Sequence, residues 1–371
     1  MGSTMRDVAA QAGVSVATVS RALSGAPLVA PEVRQRVREV ADRLGYVANR
    51  LPANLRATNA RFFALVVGNV RNNYFPELID GCVEAAHQTH HPLIFGDSNE
   101  DPDRESEILE QLALERVSGV ALATSTGVTA GLKRLLDLGI PVVAVDRRLS
   151  DLRVDTVTSD SEGGVYEAMR HLLDLGHRRI GLMGGPLHLS TIADREAGYR
   201  RALVDAGIAV EESRIVHGDL SEHTARALAL RLMGVELPPT AVVTINDLST
   251  IGTLHGLREL GLRVPRDVSL VGFDDMVGAD LFDPPLTTIA QPAFDIGRRA
   301  VGLLARRAAE PGAPTEDVVL PTRLVIRAST APNSISATEE EVKPAEMRSG
   351  PVRPPGRTSG ASGHRAGVPS P

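Results

Sequence analysis

The spacing of hydrophobic residues changes along this chain of 371 residues. In residues 4–46, apolar side chains recur at the three- and four-residue spacing of amphipathic helices. Thr4 and Asp7 have the spacing of a helix capping box, and Gly13 and Gly45 stand where the first and third helices should end. The pattern therefore predicts three short helices at the start of the chain.

The second of these helices is predicted from the stretch VATVSRAL, with Ser15 as its capping residue. The third begins at Pro31, which suits the first turn of a helix, and runs to Leu44. Ala30 has no side chain that can accept a capping hydrogen bond, so we expect a loss of about 1 kcal/mol at the start of this helix. Residues 47–61 are polar, lack an apolar stripe and predict a linker.

From residue 61 onward, short apolar strands alternate with helical stretches. The strand-like runs fall at 62–68, 92–98, 119–125, 140–146, 179–185, 214–219, 241–247 and 268–275. Repeated strand, helix and strand predict parallel sheets with helices on both faces, and two series of runs predict two similar lobes. In such sheets a ligand binds at the carboxyl ends of the strands. Polar residues stand at those ends, at Asp97, Asp146, Asn246 and Asp274.

Composition narrows the class of protein. Hydrophobic residues make up 43% of the chain, which is enough for a sizeable core. A single cysteine, Cys82, excludes an internal disulfide and a Cys-rich zinc cluster and fits a reducing cytosol. The first residues lack the apolar core of a signal peptide, and no apolar run approaches about 18 residues. We therefore expect a cytoplasmic protein without a membrane span.

Charge is divided unevenly along the chain. Residues 1–60 hold eight Arg and four acidic residues, a net charge of +4, which leaves −10 for the remainder of a chain whose net charge is −6. A basic head on an acidic body is typical of a modular DNA-binding protein. A random scatter of charge would also give such a difference, so the asymmetry alone does not decide.

The first two predicted helices have the features of a helix-turn-helix. Ala9 is small where the two helices would cross, and Gly13 permits the turn between them. Val14 and Val19 can pack between the two helices. Hydroxyl side chains can bond phosphates, and an arginine can make a bidentate contact with guanine. The side chains left to face DNA are Ser15, Val16, Ala17, Thr18, Ser20 and Arg21. Spacing alone also fits an ordinary three-helix bundle with a Ser/Thr-rich surface.

The segment DVAAQAGVSVATVSR resembles the signature D-V-A-x-x-A-G-V-S-x-x-T-V-S-R of the LacI/GalR family of bacterial repressors. The resemblance continues to about residue 330 through GHRRIGLMGGP, PTAVVTIND, GLRVPRDVSLVGFDD and PPLTTIAQP. It implies an all-α helix-turn-helix head and an α/β core with two lobes and parallel sheets, like that of periplasmic binding proteins. It also implies a homodimeric repressor that binds a near-palindromic operator. A small ligand in the interlobe cleft would control it, with a sugar expected and a nucleoside or another metabolite as alternatives.

The resemblance divides residues 1–330 into a helix-turn-helix head at 1–47, a hinge at 48–61 and a core at 62–330. Residues 331–371 are expected from their composition to form a disordered tail. Lobe one is expected at about 62–160 and 292–320, and lobe two at about 161–291 and 321–330. The tail is rich in Pro, Gly, Ser and charge and lies outside the resemblance.

Family roles can be carried over to the head and the hinge. Val16 and Ala17 occupy the positions that tune operator choice, and Arg21 is the signature arginine. Thr4, at the start of the first helix, is counted with the DNA-binding residues.

In the hinge, Asn49 matches a contact with the DNA backbone and Leu55 matches the residue that is wedged into the minor groove. Pro52 departs from the family pattern, and it is tolerated only if it lies in the first turn of a hinge helix.

The resemblance also implies an effector-binding set. Its members are Tyr74, Phe75, Asp146, Arg195, Asn246 and Asp274. Carboxylate, amide and guanidinium groups suit vicinal sugar hydroxyls, and an aromatic side chain can cover a sugar ring. A purely structural interpretation, such as a helix cap, also fits Asp146 and, with less weight, Asp274 and Arg195. Asp275 is expected to be a loop or cap residue.

Other features leave further alternatives open. Leu220 stands where many family members carry a stacking aromatic residue, so stacking would fall to Tyr74 or Phe75. Arg147 and Arg148 would favour an anionic ligand or would lie in a solvated loop.

Catalysis and metal binding find little support in the sequence. His87, His90 and His91, with Glu84 nearby, allow a weak metal site, although an exposed helix end is the simpler interpretation. The Gly-rich stretch GLMGGP is neither G-x-G-x-x-G nor a P-loop. We expect no enzyme activity, cofactor or metal. A solute-binding protein for transport and a Rossmann-type enzyme remain as alternatives, disfavoured by the missing signal peptide and the missing dinucleotide fingerprint.

Overall fold

The computed structural model describes residues 3–24, 29–46, 62–149 and 151–333. The expectations for Asn49, Pro52 and Leu55 in the hinge, and for the tail beyond residue 333, lie outside these residues.

The head contains the three expected helices, α1 (Met5–Ala12), α2 (Val16–Ser24) and α3 (Pro31–Arg43). The Thr4 hydroxyl accepts from the Asp7 amide at 3.4 Å and the Asp7 carboxylate accepts from the Thr4 amide at 2.7 Å, which confirms the capping box. Gly13 has a φ of 64°, the left-handed conformation in which a helix commonly ends. Ser15 Oγ accepts from the Thr18 amide at 3.1 Å, and Ala30 makes no side-chain cap bond.

These helices bury one apolar core between them. Its buried members are Val8, Ala9, Ala12, Val19, Ala22, Val29, Val37, Val40 and Ala41. Because Val19 and Ala22 of α2 point into this core, the opposite face of α2 is left for solvent.

Lobe one is built on a sheet of six parallel strands in the order β11-β5-β4-β3-β1-β2. The strands are β1 (Phe63–Val67), β2 (Leu93–Asp97), β3 (Gly119–Leu122), β4 (Val142–Val145), β5 (Asp155–Ser159) and β11 (Asp317–Leu320). Successive residues of a strand face opposite sides, so alternate residues of β1 enter two different cores. One core is covered by α4 (Tyr74–Gln88) and α11 (Ala293–Ala309), the other by α5 (Pro102–Leu114) and α6 (Ala130–Asp137).

Lobe two repeats this plan with the order β12-β10-β9-β8-β6-β7. The strands are β6 (Ile180–Gly184), β7 (Ile215–His217), β8 (Ala241–Thr244), β9 (Ser269–Phe273), β10 (Thr287–Ala290) and β12 (Arg323–Val325), of which β12 is antiparallel to β10. One face is covered by α7 (Ser161–Asp174) and α8 (Ser190–Asp205), the other by α9 (Glu222–Met233) and α10 (Asp247–Glu259). A short 3₁₀ helix, Glu212–Arg214, precedes β7.

The chain passes between the lobes three times, after β5, after β10 and after β11. Helix α11 and strand β11 therefore return to lobe one after lobe two has been built. The carboxyl ends of the parallel strands in both sheets meet at the same place, which is where a ligand is expected. Within the described part of the chain, no helix combines the length and the apolar character that a membrane crossing requires.

Candidate functional site

The exposed face of α2 carries the side chains expected to read DNA. Ser15, Val16, Ala17 and Arg21 are exposed, with Val16 at 42%, whereas Thr18 and Ser20 are half-buried. The Ser15 and Thr18 hydroxyls lie 2.8 Å apart. This face therefore offers short apolar and hydroxyl groups beside one guanidinium, a set that can contact base edges and phosphates.

Thr4 is exposed as well, and its side chain is engaged within the head. Its hydroxyl donates to the Asp7 carboxylate at 2.7 Å, besides accepting from the Asp7 amide. The contribution that the structure shows for Thr4 is to hold the start of α1.

A cleft lies between the carboxyl ends of the two sheets. It brings together all six residues of the expected effector-binding set. The cleft is also lined by Asn69, Asn72, Glu100, Arg147, Thr191, Ile192, Leu220, Leu248 and Gln291.

Asp146 follows β4 with a φ of 63°, a left-handed conformation that is uncommon for a residue with a side chain. Its buried carboxylate lies 3.3 Å from Arg147 Nε, and it is not the N-cap of any helix described above. Burial raises the pKa of Asp146, while the charges of Arg147 and Arg195 oppose that rise. The left-handed conformation at a strand end aims a buried carboxylate into the cleft instead of onto a helix.

Arg147 is buried and already bound to carboxylates. Its guanidinium donates two hydrogen bonds of 2.7 Å to Glu100 and one of 2.8 Å to the Thr124 carbonyl. Arg148 makes two bonds of 2.7 and 2.8 Å to Asp194. Both guanidinium groups are thus neutralised by the protein itself, so the structure does not favour the anionic ligand that their sequence pattern left open.

Asp274 follows β9 with a φ of 71° and is buried. Its carboxylate accepts from Gln291 Nε2 at 2.6 Å and from Asn72 Nδ2 at 3.5 Å. Burial raises the pKa of Asp274 to about 7, with the charge of Arg195 opposing the rise and that of Asp247 adding to it.

Asp275, the next residue, has a structural role. Its carboxylate accepts from Arg327 at 2.7 and 3.0 Å and from the Thr288 hydroxyl at 2.7 Å. It is not among the residues that line the cleft, which agrees with its interpretation as a loop residue.

Arg195 extends from α8 into the cleft and is held in place on two sides. Its guanidinium lies 3.6 Å from the centre of the Phe273 ring and donates to the Ile245 carbonyl. Burial lowers the pKa of Arg195, and the charges of Asp274 and Asp146 oppose that effect. The sequence did not indicate this contact with Phe273, because only the aspartates that follow it in the VGFDD stretch carry a recognisable signal.

Asn246 is only partly free for a ligand because it caps α10. Its side-chain oxygen accepts from the Ser249 amide at 2.8 Å. Its side-chain nitrogen lies 3.4 Å from the Leu220 carbonyl oxygen. The long second contact leaves the amide nitrogen as the group with which Asn246 can meet a ligand.

Tyr74 and Phe75 form the first turn of α4, with their rings edge to face at 5.2 Å. Both side chains are buried. The Tyr74 hydroxyl has no hydrogen-bond partner among the described residues, and its pKa is raised by burial and by the charges of Asp146 and Asp274. A buried hydroxyl without a partner is costly, so this group favours a ligand that supplies one.

Of the three clustered histidines, His87 and His90 are exposed and His91 packs against the core. The ring of His91 stacks on Phe63 at 4.3 Å, and His91 Nδ1 lies 2.7 Å from the Thr89 carbonyl oxygen. Nowhere in residues 3–24, 29–46, 62–149 and 151–333 do three or more His, Cys, Asp or Glu side chains form a group that could hold a metal ion.

Comparisons with known proteins cover most of the chain. Residues 4–49 match the model for bacterial regulatory proteins of the lacI family, and residues 169–330 match the model for a periplasmic binding protein-like domain. The chain is 31% identical to catabolite control protein A of Priestia megaterium, over 89% of this chain and 100% of that protein. It is 33% identical to the transcriptional repressor PurR of Vibrio campbellii, over 82% of this chain and 92% of that protein.

Solved structures show the same likeness. The complex of the transcriptional regulator CelR with cellobiose has a TM-score of 0.68 and 31% identity, over 88% of this chain and 99% of that one. The lac repressor dimer bound to operator and the anti-inducer ONPF has a TM-score of 0.76 and 25% identity, over 89% of this chain and 100% of that one.

The relatives are transcription regulators, and this chain covers nearly all of their length. The exposed reading face of α2 and the two-lobed core match that class of protein. This chain belongs to the lacI family of bacterial regulatory proteins and is a DNA-binding transcriptional regulator, not an enzyme.

Proposed function

We propose that this protein is a repressor that binds a near-palindromic operator as a homodimer and is controlled by a neutral, polyhydroxylated ligand, such as a sugar, in the cleft between its lobes. The observation that carries the proposal is the convergence of two buried carboxylates, one buried guanidinium and one unpaired phenol hydroxyl on that cleft.

The chemistry of the cleft supports a sugar. The carboxylates of Asp146 and Asp274 can each accept hydrogen bonds from ligand hydroxyls, and the hydroxyl of Tyr74 can donate one. A sugar hydroxyl both donates and accepts, so it can satisfy all three groups. Arg147 is already paired with Glu100, so only Arg195, which already faces the two carboxylates, would compensate the added negative charge of a phosphorylated ligand. Cellobiose in the related CelR complex is a neutral saccharide of this kind.

Stacking of aromatic side chains on the ligand is a minor part of recognition in this cleft. Leu220, which stands where many family members carry a stacking aromatic residue, lines the cleft, and the rings of Tyr74 and Phe75 pack edge to face against each other. A nucleoside, which is held largely by ring stacking, fits this cleft less well than a sugar.

On the DNA side, we propose that α2 enters the major groove with Val16 and Ala17 toward base edges and Arg21 toward a guanine. Ser15, Thr18 and Ser20 would bond phosphates and fix the position of the helix. A dimer would place two such helices on two half-sites, as the operator complex of the lac repressor dimer suggests. The roles of Asn49 and Leu55 in the hinge stay predictions.

The DNA half of the proposal is tested by selecting duplexes that the full chain retains from a random pool. We expect an inverted repeat whose binding weakens steeply as salt increases. Arg21→Ala should cost about 1–3 kcal/mol and relax the preference at one position of each half-site. Retained sequences without an inverted repeat, or binding that is insensitive to salt, would contradict this half.

The ligand half is tested by thermal unfolding of the full chain with neutral mono- and disaccharides, nucleosides and sugar phosphates. We expect a neutral saccharide to raise the Tm of the wild type, and Asp274→Ala and Arg195→Ala to abolish that rise. Asp295→Asn on the surface of α11 is the control and should respond like the wild type. An unchanged response in both cleft variants would refute the proposed binding site.

A further inference from the structure

One buried carboxylate joins the starts of two helices that belong to different lobes. Asp247 is the first residue of α10 in lobe two and is fully buried. One of its oxygens accepts from the Leu248 amide at 2.7 Å, within its own helix. The other accepts from the backbone amide of Asn73 at 2.8 Å and from Asn73 Nδ2 at 2.7 Å. Asn73 immediately precedes α4 in lobe one.

The start of helix α4 is capped from both lobes. The Asn72 side-chain oxygen accepts from the Tyr74 amide at 2.7 Å within lobe one, and Asp247 of lobe two accepts from the Asn73 amide at 2.8 Å. Asn73 makes no side-chain cap bond to α4, although it occupies the capping position. The start of a helix carries unpaired amide groups and a positive partial charge, so the starts of α4 and α10 repel each other where they approach. The carboxylate of Asp247 lies between them and bonds to both.

This contact depends on the closed arrangement of the lobes. If the lobes separate, Asp247 loses both donors of Asn73, and the start of α4 loses its anion. A hydrogen bond to a charged group stabilises more than a neutral one, and a buried charge that loses its partners is strongly unfavourable. Separation at this point therefore requires that both helix starts become hydrated.

A second polar contact joins the lobes elsewhere. Arg148, after β4 of lobe one, binds the Asp194 carboxylate of α8, and its backbone amide donates to the Ser190 hydroxyl at 2.9 Å. The side chain of Arg148 is 45% exposed, so this ion pair is hydrated and contributes little by itself. Asn72 Nδ2 of lobe one also donates to Asp274 of lobe two, but at 3.5 Å this bond is weak. Among these contacts, the buried one at Asp247 is expected to dominate.

We infer that Asp247 is a positioning residue that holds the two lobes closed without touching the ligand, because its carboxylate is shared by the starts of α4 and α10. Asp247 does not line the cleft, whereas its neighbours Asn246 and Leu248 do. The inference goes beyond the proposed function, since it concerns only the lobes of this chain and needs no ligand or DNA.

Two variants separate the interlobe contact from the cap of α10. Asp247→Asn replaces one acceptor oxygen by an NH₂ group and removes the charge between the helices. Asn73→Ala removes only the side-chain donor of lobe one and leaves the bond from Asp247 to Leu248 intact. Asp101→Asn is the matched control, because Asp101 caps α5 entirely within lobe one.

The test is hydrogen exchange of backbone amides in the full chain without ligand, together with its radius of gyration from small-angle X-ray scattering. We expect Asp247→Asn, and to a smaller extent Asn73→Ala, to accelerate exchange of the Asn73 amide by about tenfold or more. The Arg148 amide, at the other interlobe contact, should also exchange faster, and the radius of gyration should increase. Asp101→Asn should change neither quantity.

Faster exchange at Asn73 alone, with Arg148 and the radius of gyration unchanged, would show a local cap and overturn the inference. Unchanged exchange at both amides would overturn it as well. If Asp247→Asn does not fold, Asn73→Ala decides by the same criteria. Because neither measurement involves a saccharide or an operator, a failure here is distinct from a failure of the proposed function.

Discussion

Asp146 in lobe one and Asp274 in lobe two occupy equivalent places in the two halves of the core. Each follows the third strand from the same edge of its sheet, each has a left-handed φ, and each is buried in the cleft. Their neighbours differ. Asp146 lies against Arg147, whereas the residue after Asp274 is an aspartate that pairs with Arg327 away from the cleft.

The difference shows that one backbone arrangement can serve two electrostatic environments. The carboxylate of lobe one has a cation fixed beside it by Glu100 and the Thr124 carbonyl. In lobe two, burial raises the pKa of the Asp274 carboxylate to about 7, the charge of Arg195 opposes that rise and the charge of Asp247 adds to it. Burial raises the pKa of both carboxyl groups, and the one in lobe one has a fixed cation beside it. The carboxyl group in lobe two has a pKa of about 7, so its charge changes near neutral pH.

The largest expected effect concerns the cation of lobe one. Arg147→Ala leaves Glu100, Asp146 and Glu105 without their shared partner, so we expect the free energy of unfolding to fall by about 3–5 kcal/mol. Arg148→Ala, which removes an exposed guanidinium next to it, should cost less than about 1 kcal/mol. Urea denaturation of the full chain measures both. Equal losses would show that Arg147 does not hold the charges of lobe one together.

The next effect concerns the pH dependence of lobe two. The pKa of Asp274 is raised to about 7 from 3.8, so the folded protein retains a proton that the unfolded chain has lost. Stability should therefore fall as pH rises from about 4 to 7, by at most about 1.4 kcal/mol per pH unit from this group. Asp274→Asn should remove this component of the slope. Asp146→Asn tests lobe one in the same way, since burial raises the pKa of Asp146 against the charges of Arg147 and Arg195. The same slope in the wild type and in Asp274→Asn would contradict the comparison.

Ligand binding should distinguish what Asp146 and Asp274 each contribute to affinity and to its dependence on pH. For the neutral saccharide that raises the Tm most, Asp146→Asn and Asp274→Asn should each weaken binding about tenfold or more, since each loses a charged acceptor. Titration calorimetry at pH 6 and pH 8 should show a clear pH dependence of affinity in the wild type and in Asp146→Asn, but a smaller one in Asp274→Asn. If the pH dependence of affinity is lost in Asp146→Asn instead of Asp274→Asn, the titrating group is Asp146 and the assignment to Asp274 is wrong.

The smallest effect concerns the neutral partners of Asp274. Gln291 donates to it at 2.6 Å and Asn72 at 3.5 Å, a distance at which a hydrogen bond contributes little. Because the bond from Gln291 lowers the pKa of Asp274, Gln291→Ala should move its titration to higher pH, whereas Asn72→Ala should leave it nearly unchanged. Carbon NMR of the labelled carboxyl group follows the titration directly. A larger shift in Asn72→Ala would show that the lobes are coupled through this long contact.

Much of the fold could be predicted because its signals are local. The capping box at Thr4 and Asp7, the turn at Gly13 and the apolar runs of eight strands are written in neighbouring residues. Strands β5, β10, β11 and β12 were not predicted. β5 has the sequence DTVTS, and its five residues are buried although four of them are polar, so it lacks an apolar run.

The sequence indicated which residues line the cleft better than it indicated the contacts that they make. The resemblance named six residues that the structure brings to one cleft, but it gave no sign that Asn246 caps α10 or that Phe273 supports Arg195. Arg147 looked equally like a solvated loop residue. The bond between Asn73 and Asp247 joins positions 174 residues apart, and a contact of that separation leaves no pattern in the local sequence.

The most direct test of the central claim is the linkage between the cleft and DNA, measured with the selected operator duplex and the saccharide that stabilises the full chain. The claim predicts that saturating saccharide changes the Kd for operator, and that operator changes the Kd for saccharide by the same factor, because the coupling is reciprocal. A factor of about 5–150 is typical of such coupling. A saccharide that binds in the cleft, as judged by loss of binding in Arg195→Ala, and yet leaves the Kd for operator unchanged would contradict the claim.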